Sequence, residues 1–409
     1  MKVFPIENPV AGEQVLSVQP VIERYPEADW RQRLEYFSGR ALTHTALGVE
    51  QQSRAGHLAT LGQALSPGVV MGLEVGATET GTGLVIEIAA GMGIAASGEI
   101  VHINRNRQVL LDDIRVYAPA SVLDADWDSS QGAGEYRLGD MLATLRTEGR
   151  PLPEALVLVL QPVAVEHFGQ QPSTDPCDYD PTDEAFENWQ WLDGCRLALY
   201  AWDPKLGPVP APGNWRRSRI AHAIFDYERG LGEGENLPWH ELGVPIALIG
   251  LNAGLAFDFL DRNAVVRRGG ETRGNDVPIS PAGNRFLWQA QFEQFNEQLV
   301  DWLTDNPGLD PARMNAGAQF RHLPPVGVLP KESINPREQI QRFFPLGYAM
   351  RALVIPYEQL DLAIKESASL LPYDLNTPDR VEVLVPVPQQ HYEPQLLSLI
   401  HISEPTRQV

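Results

Sequence analysis

The chain has 409 residues, enough for two or three domains of about 100–200 residues each, and this length excludes a small domain that depends on disulfides or metals. It contains 53 acidic and 32 basic residues, for a formal net charge of −21. Such a surface repels phosphate backbones and anionic membranes, so nucleic acid is not expected as a partner. No apolar run approaches the ~20 residues of a membrane span, and no membrane insertion is expected.

The first 30 residues mix polar and apolar side chains and are interrupted by four prolines, a pattern typical of an extended segment. They are too apolar for a free disordered tail and too interrupted to fold alone, so we expect contact with another surface to order them. We interpret this segment as an assembly arm, with Val3, Phe4 and Ile6 as candidate contacts.

Trp30 to Leu65 is predicted to be helical, with Thr43 or Thr45 as its cap and with Glu50 and Arg54 as an i,i+4 ion pair. The helical spacing is carried by one stripe of side chains: Leu47, Arg54, Leu58, Leu61 and Leu65.

The residues after this helix predict a small β meander. Its strands are predicted at Val69–Val75, Leu84–Ala90, Glu99–Ile103 and near Leu110, with turns at Gly76–Gly83 and Gly91–Gly98. Gly91, Gly93 and Ala96 also match the G-x-G-x-x-A dinucleotide fingerprint. That fingerprint needs a helix whose N-terminus faces the pyrophosphate, whereas this sequence continues into a strand. We therefore predict a hairpin that binds no nucleotide.

The remainder of the chain mixes strands, helices and loops. Strands are predicted at Ala155–Val165, Cys195–Trp202, Gly243–Leu251 and Val381–Val387, and helices at 214–230, Phe286–Leu303 and Tyr357–Leu370. The fold class is thus α+β and β-rich: an N-terminal helix and β meander, followed by loop-rich mixed α/β domains. The predicted organisation is an arm (1–30), a helix–meander module (31–116), a β-rich domain (117–265), a helix-containing C-terminal domain (266–396) and a non-native tail (397–409).

The partial matches to catalytic and cofactor-binding motifs each lack an essential residue. No lysine follows a glycine as a P-loop requires, and His240-Glu241 lacks the second histidine of a zinc hydrolase because Val244 stands in its place. Cys177 and Cys195 are interpreted as packing residues. We predict no catalytic residue, no metal and no cofactor.

The segment from Asp175 to Gly194 is predicted to be an acidic, aromatic loop. Its carboxylates are hard oxygen donors for calcium, but they do not follow the EF-hand order. Trp189 and Trp191 could stack on a sugar or on a partner protein, or they could anchor the loop to its own core. They are the candidate glycan or partner contacts.

Two resemblances add to this interpretation. Glu35 to Val101, with Tyr36-Phe37, Gly68-Val69-Val70 and Gly72-Leu73, resembles a module of baseplate and tail-associated proteins of contractile injection systems and tailed phages, and Phe320 to Pro330 is similar to a proline-rich phrase of such proteins. Leu397 to Arg407 resembles a translated sequencing adapter found at the ends of environmental contigs, so we expect the native chain to be cut near Leu396.

The leading hypothesis is a structural subunit of a phage-tail-like or contractile injection assembly. Its partners would be other subunits of the particle, with a homo-oligomer as one option. Such a protein would be synthesised in the cytoplasm and assembled into a virion or phage-tail-like particle. One alternative is a carbohydrate-binding or depolymerising particle protein, and a second is a cytosolic enzyme whose site is invisible in sequence.

Overall fold

A computed structural model describes residues 3–4, 14–19, 38, 43–81, 83–128, 130, 132–168, 189–213, 215–232, 235–270, 285–335, 340–367 and 370–392. The predicted non-native tail, Ile6, Cys177 and the five carboxylates considered for calcium (Asp175, Asp178, Asp180, Asp183 and Glu184) lie outside these residues. The chain forms two compact units. Unit 1 comprises Met1–Lys205 and Gly232–Asn275, and unit 2 comprises Leu206–Leu231 and Asp276–Val409. The four predicted segment boundaries remain a prediction.

Unit 1 contains the predicted N-terminal helix, α1 (His44–Gln63). The Thr43 side chain caps it by accepting a hydrogen bond from the Ala46 N–H at 3.2 Å. The predicted pair also forms, with Arg54 Nε 3.2 Å from Glu50 Oε1. The capping and the end of the helix are therefore confirmed, and the part of the prediction before Thr43 lies almost entirely outside the described residues.

Two three-stranded antiparallel sheets follow α1. The strands are β3 (Gly68–Gly72), β4 (Val75–Thr80), β5 (Gly83–Ile88), β6 (Gly91–Ile94), β7 (Ile100–Ile103) and β8 (Arg107–Leu110). One sheet has the order β3-β6-β7 and the other the order β4-β5-β8. The strand–turn–strand at Gly91–Ile103 confirms the predicted hairpin, because β6 pairs directly with β7 and no helix starts at Gly93.

A larger mixed sheet completes unit 1. Its strands are β1 (Val3–Phe4), β2 (Gln14–Gln19), β9 (Arg115–Pro119), β10 (Tyr136–Met141), β11 (Ala155–Phe168), β12 (Trp189–Ala201), β13 (Val244–Leu251) and β14 (Phe257–Asp261). The main order is β10-β9-β12-β11-β13-β14, with β1 paired to β12 and β2 paired to β11. Only β9 and β12 run parallel in this sheet. Two short helices, α2 (Ala120–Leu123) and α3 (Leu142–Thr147), flank β10.

Unit 2 is built around two longer helices, α4 (Arg216–Arg229) and α5 (Arg285–Asp305). Its short strands are β15 (His322–Leu323), β16 (Ile334–Asn335), β17 (Ile340–Gln341) and β19 (Tyr373–Asp374). Two eight-residue strands, β18 (Ala349–Pro356) and β20 (Arg380–Val387), pair in parallel, and α6 (Leu360–Ser367) lies between them in the chain. The core combines α5 residues such as Phe295 and Leu299 with Phe320 and Phe343.

Several details of the sequence prediction are wrong. Val69–Val75 is not one strand, because Gly72 (φ 60°) and Leu73 (φ 58°) adopt left-handed conformations that separate β3 from β4. The predicted turn at Gly76–Gly83 is mostly strand, since β4 continues to Thr80. The elements from β9 to α3 and strand β18 were missed, because they lack a long apolar run or a clear period.

The α+β, β-rich fold class is confirmed: an N-terminal helix precedes small antiparallel sheets and a mixed sheet with a six-strand main order. Most of the predicted strands and helices beyond residue 150 are confirmed, with β12 longer and α6 shorter than expected. Within the part of the chain that the structure describes, no helix has the length and hydropathy needed to cross a bilayer.

Two glycines of α1 provide a matched test of its packing. A Cβ at Gly62 would lie 2.0 Å from the Gly98 carbonyl oxygen, whereas a Cβ at Gly48 would meet nothing within 4 Å. Gly62→Ala should lower the free energy of unfolding by about 1–3 kcal/mol through overpacking. Gly48→Ala should raise it by about 0.5–1 kcal/mol through helix propensity. Denaturant unfolding followed by circular dichroism measures both, and equal stability of the two variants would contradict this packing.

Candidate functional site

Helix α1 presents its predicted leucine stripe to solvent. Leu58 and Leu61 are each 69% exposed and Leu47 is 46% exposed. At about 100° per residue these three side chains project within a narrow sector of the helix. The spacing correctly predicted the helix, but it gave no indication that this apolar face would lie on the outside.

The opposite face of α1 carries small and polar residues and packs inward. Ser53 and Ala59 are buried, and the Gln63 side-chain amide donates to the Ser97 carbonyl at 2.8 Å. Gly62 and Gly98 bring the helix backbone against the β6–β7 turn, where Gly98 has a left-handed φ of 86°. Close approach of backbones, rather than interdigitated leucines, therefore holds α1 in place, and the leucines remain available for another contact.

The sheet beside α1 also exposes apolar side chains. Met71 on β3 is 62% exposed and Ile100 on β7 is 61% exposed. Val101 and Ile103, which alternate with Ile100 along β7, are buried in the core of unit 1. Unit 1 thus exposes apolar side chains on a helix and on a sheet, and the three leucines of α1 share one sector of the helix surface.

The candidate arm residues fall partly inside the described chain. Val3 and Phe4 form β1, which pairs antiparallel with Arg196 and Cys195 of β12. The later part of the arm forms β2, which pairs with Ala164–Phe168 of β11. Both described parts are extended and both lie on the sheet of their own chain, while a role in assembly stays a prediction.

The candidate tryptophans lie at the start of β12. Trp189 is in register with Phe168 and Trp191 with Glu166 of β11. Trp191 is 49% exposed, so its indole is accessible to a partner or a sugar. The carboxylates considered for calcium lie outside the described residues. Elsewhere in the described chain, no three His, Cys, Asp or Glu side chains come together as metal ligands.

Unit 2 contains a pair of stacked histidines that sequence reasoning missed. The rings of His222 on α4 and His322 on β15 have centroids 3.5 Å apart and planes 14° apart. Burial lowers the pKa of His222 to about 4, and burial also lowers the pKa of His322. The charges of His322 and Arg229 also lower the pKa of His222, and the charge of Arg321 lowers that of His322, while Asp226 and Asp374 partly oppose both shifts. One hundred residues separate the two histidines, so no local motif could have indicated the pair.

An apolar groove of about 540 Å³ lies elsewhere in unit 2. Its wall includes the Pro324–Pro330 segment, and its other sides come from α5, α6 and β20. Glu382, Tyr373 and Ser367 are among its few polar lining residues. A groove of this size and composition is typical of a surface that receives apolar groups from a ligand or a partner.

A second cavity of about 360 Å³ is more polar at its rim. We refer to it as the Trp215 cup, and it is lined by Trp215, Asn315, Gly317, Ala318, Phe320, Arg321, Pro345, Leu375 and Asn376. Trp215 precedes α4 with φ 74° and ψ 0°, a left-handed conformation that a bulky residue rarely adopts. Such backbone strain costs of order 1–3 kcal/mol and persists only when the surrounding structure enforces it.

The histidine pair predicts a pH-dependent stability. Its lowered pKa values mean that the unfolded chain binds protons that the folded chain does not, so stability should fall as the pH decreases from about 6.5 to about 4. His222→Phe should keep a stacked aromatic ring and remove part of this loss. Thermal unfolding across this pH range compares the variant with wild type, and His391→Phe serves as a control outside the pair. If His222→Phe and wild type lose stability equally, the pair does not resist protonation.

No protein-family model matches the chain, and no curated protein matches it. The resemblance of Glu35 to Val101 to baseplate and tail-associated modules therefore stays a prediction.

Proposed function

We propose that this protein is a structural subunit of a phage-tail-like or contractile injection assembly that acts through protein–protein contacts. The observation that carries the proposal is the solvent-facing stripe of Leu47, Leu58 and Leu61 on α1. Burial of one large apolar side chain contributes about 1.5–3 kcal/mol. Burial of each leucine against a partner would stabilise the complex by that amount. Helix α1 would not need to rearrange, because its other face is already packed.

Two further features support a contact-making role. The exposed Met71 and Ile100 extend the apolar surface of unit 1, and the apolar groove gives unit 2 a contact surface of its own. The segment from Glu35 to Val101 that resembles a baseplate module contains both α1 and these two side chains. The same stretch of chain thus carries the resemblance and the exposed surface.

The carbohydrate-binding alternative has its own support in unit 1. Trp191 is half-exposed near the start of β12, where it is in register with Glu166 of β11. An exposed indole can stack on a sugar ring as well as on a protein.

The gene neighbourhood tests the class of assembly. Co-expression of the chain with the products of adjacent genes, followed by affinity purification and electron microscopy, should yield a complex with sheath, tube or spike proteins. Neighbouring genes of metabolic enzymes, together with a chain that purifies alone from the co-expression, would contradict the proposal.

The leucine stripe itself predicts a specific loss of assembly. Leu58→Glu combined with Leu61→Glu should abolish co-purification with the partners, because two charges would be buried in an apolar contact. The fold should persist, since both side chains face solvent. Gln52→Glu combined with Ala55→Glu provides a control with matched charge on other exposed positions of α1, and it should assemble normally. Equal assembly of the two double variants would exclude the stripe as the contact.

A further inference from the structure

We propose that the Trp215 cup of unit 2 binds a neutral saccharide. The cup lies entirely within unit 2, in a different part of the chain from α1, and the proposal is independent of the leucine stripe. It rests on three observations: the shape of the cavity, the chemistry of its rim and the backbone conformation of Trp215.

The cup is apolar at its base and polar at its edge. Phe320 and Leu375 are buried core residues that also line the cavity, together with Pro345. Asn315 and Asn376 are exposed and line the rim of the cup. A pyranose ring has the same division, because its C–H faces are apolar while its hydroxyl groups form hydrogen bonds at the edge. At about 360 Å³ the volume lies in the range of small-molecule sites.

The rim favours a neutral ligand over a charged one. Arg321 Nη2 lies 3.0 Å from Asp374 Oδ2, so the guanidinium charge is balanced by a carboxylate of the same unit. Asn315 Oδ1 accepts from the Gly317 N–H at 2.9 Å, which fixes the amide and directs its NH₂ group away from that bond. The chain as a whole carries a net charge of −21, which disfavours anionic glycans. Amide donors without net positive charge suit sugar hydroxyls.

The backbone at Trp215 gives an independent reason to regard the cup as a built site. A glycine would adopt φ 74° without cost, yet a tryptophan occupies the position and is 38% exposed. The conformation is fixed where α4 begins, because the Arg219 N–H donates to the Trp215 carbonyl at 2.8 Å. Strained residues of this kind cluster at ligand sites. Trp215 lines the cup, and an exposed indole offers a flat apolar face on which the apolar face of a sugar can stack.

Binding to the full chain is the primary test. Glucose, galactose, mannose, N-acetylglucosamine and their short oligomers are titrated by isothermal calorimetry and by tryptophan fluorescence. At least one of these probes should bind saturably. Trp215→Ala should weaken that binding at least tenfold, Trp215→Phe should retain it within about threefold, and Tyr357→Ala, at an exposed aromatic residue of unit 2 outside the cup, should leave it unchanged. The absence of binding by all probes would overturn the proposal, as would equal affinity of wild type and Trp215→Ala, or a loss confined to Tyr357→Ala.

Comparison of Trp215→Gly with Trp215→Ala separates binding from stability. Both variants lack the indole and should fail to bind, but glycine also relieves the left-handed backbone, so Trp215→Gly should melt at a higher temperature than Trp215→Ala. Circular dichroism confirms that both are folded. If the glycine variant is no more stable than the alanine variant, the backbone is unstrained and that support is lost. If it still binds the saccharide, the indole is not the stacking surface.

Discussion

The pairing of β11 on both edges is the constraint on which unit 1 depends. One edge of this 14-residue strand pairs with β12 along nearly its whole length, and the other edge pairs first with β13 and then with β2. Ala155–Leu160 has no solvent exposure at all. A strand buried on both faces and paired on both edges satisfies its backbone hydrogen bonds while it contributes a continuous apolar core.

The smaller sheets are positioned by close contact with this central sheet. A Cβ at Gly93 of β6 would lie 2.9 Å from a methyl group of Val244 on β13. The Gly93 that seemed part of a nucleotide fingerprint is therefore needed for packing between two sheets. The same principle holds α1 in place, since Gly62 and Gly98 allow backbones to approach each other. Glycines therefore set how closely the layers of unit 1 pack. Because α1 packs through its glycine-containing face, its leucines face solvent.

The sequence predicted elements that depend on neighbouring residues, but it did not predict pairings between residues that are far apart in the chain. The apolar run of β13 and the Thr43 cap of α1 depend on neighbouring residues, so composition and spacing were sufficient. The parallel pairing of β18 with β20 and the stack of His222 on His322 depend on residues far apart in the chain. The sequence could not predict that the leucine stripe of α1 faces solvent, for another reason. A helical period identifies an apolar face of a helix, but it does not say whether the protein's own core or a partner covers that face. The Trp215 cup could not be predicted because its strain is visible only as a φ angle.

The discontinuous chain path of unit 1 affects its synthesis on the ribosome. β11 ends at Phe168, but the edge partner of its first half, β13, starts only at Val244, after α4 of unit 2 has already been made. At a translation rate of about 5–20 residues per second, the most apolar strand edge of the nascent chain remains uncovered for several seconds. An uncovered edge of this kind can pair with another nascent chain. Efficient production of this protein should therefore depend on holdase chaperones, or on slow initiation that keeps neighbouring ribosomes apart.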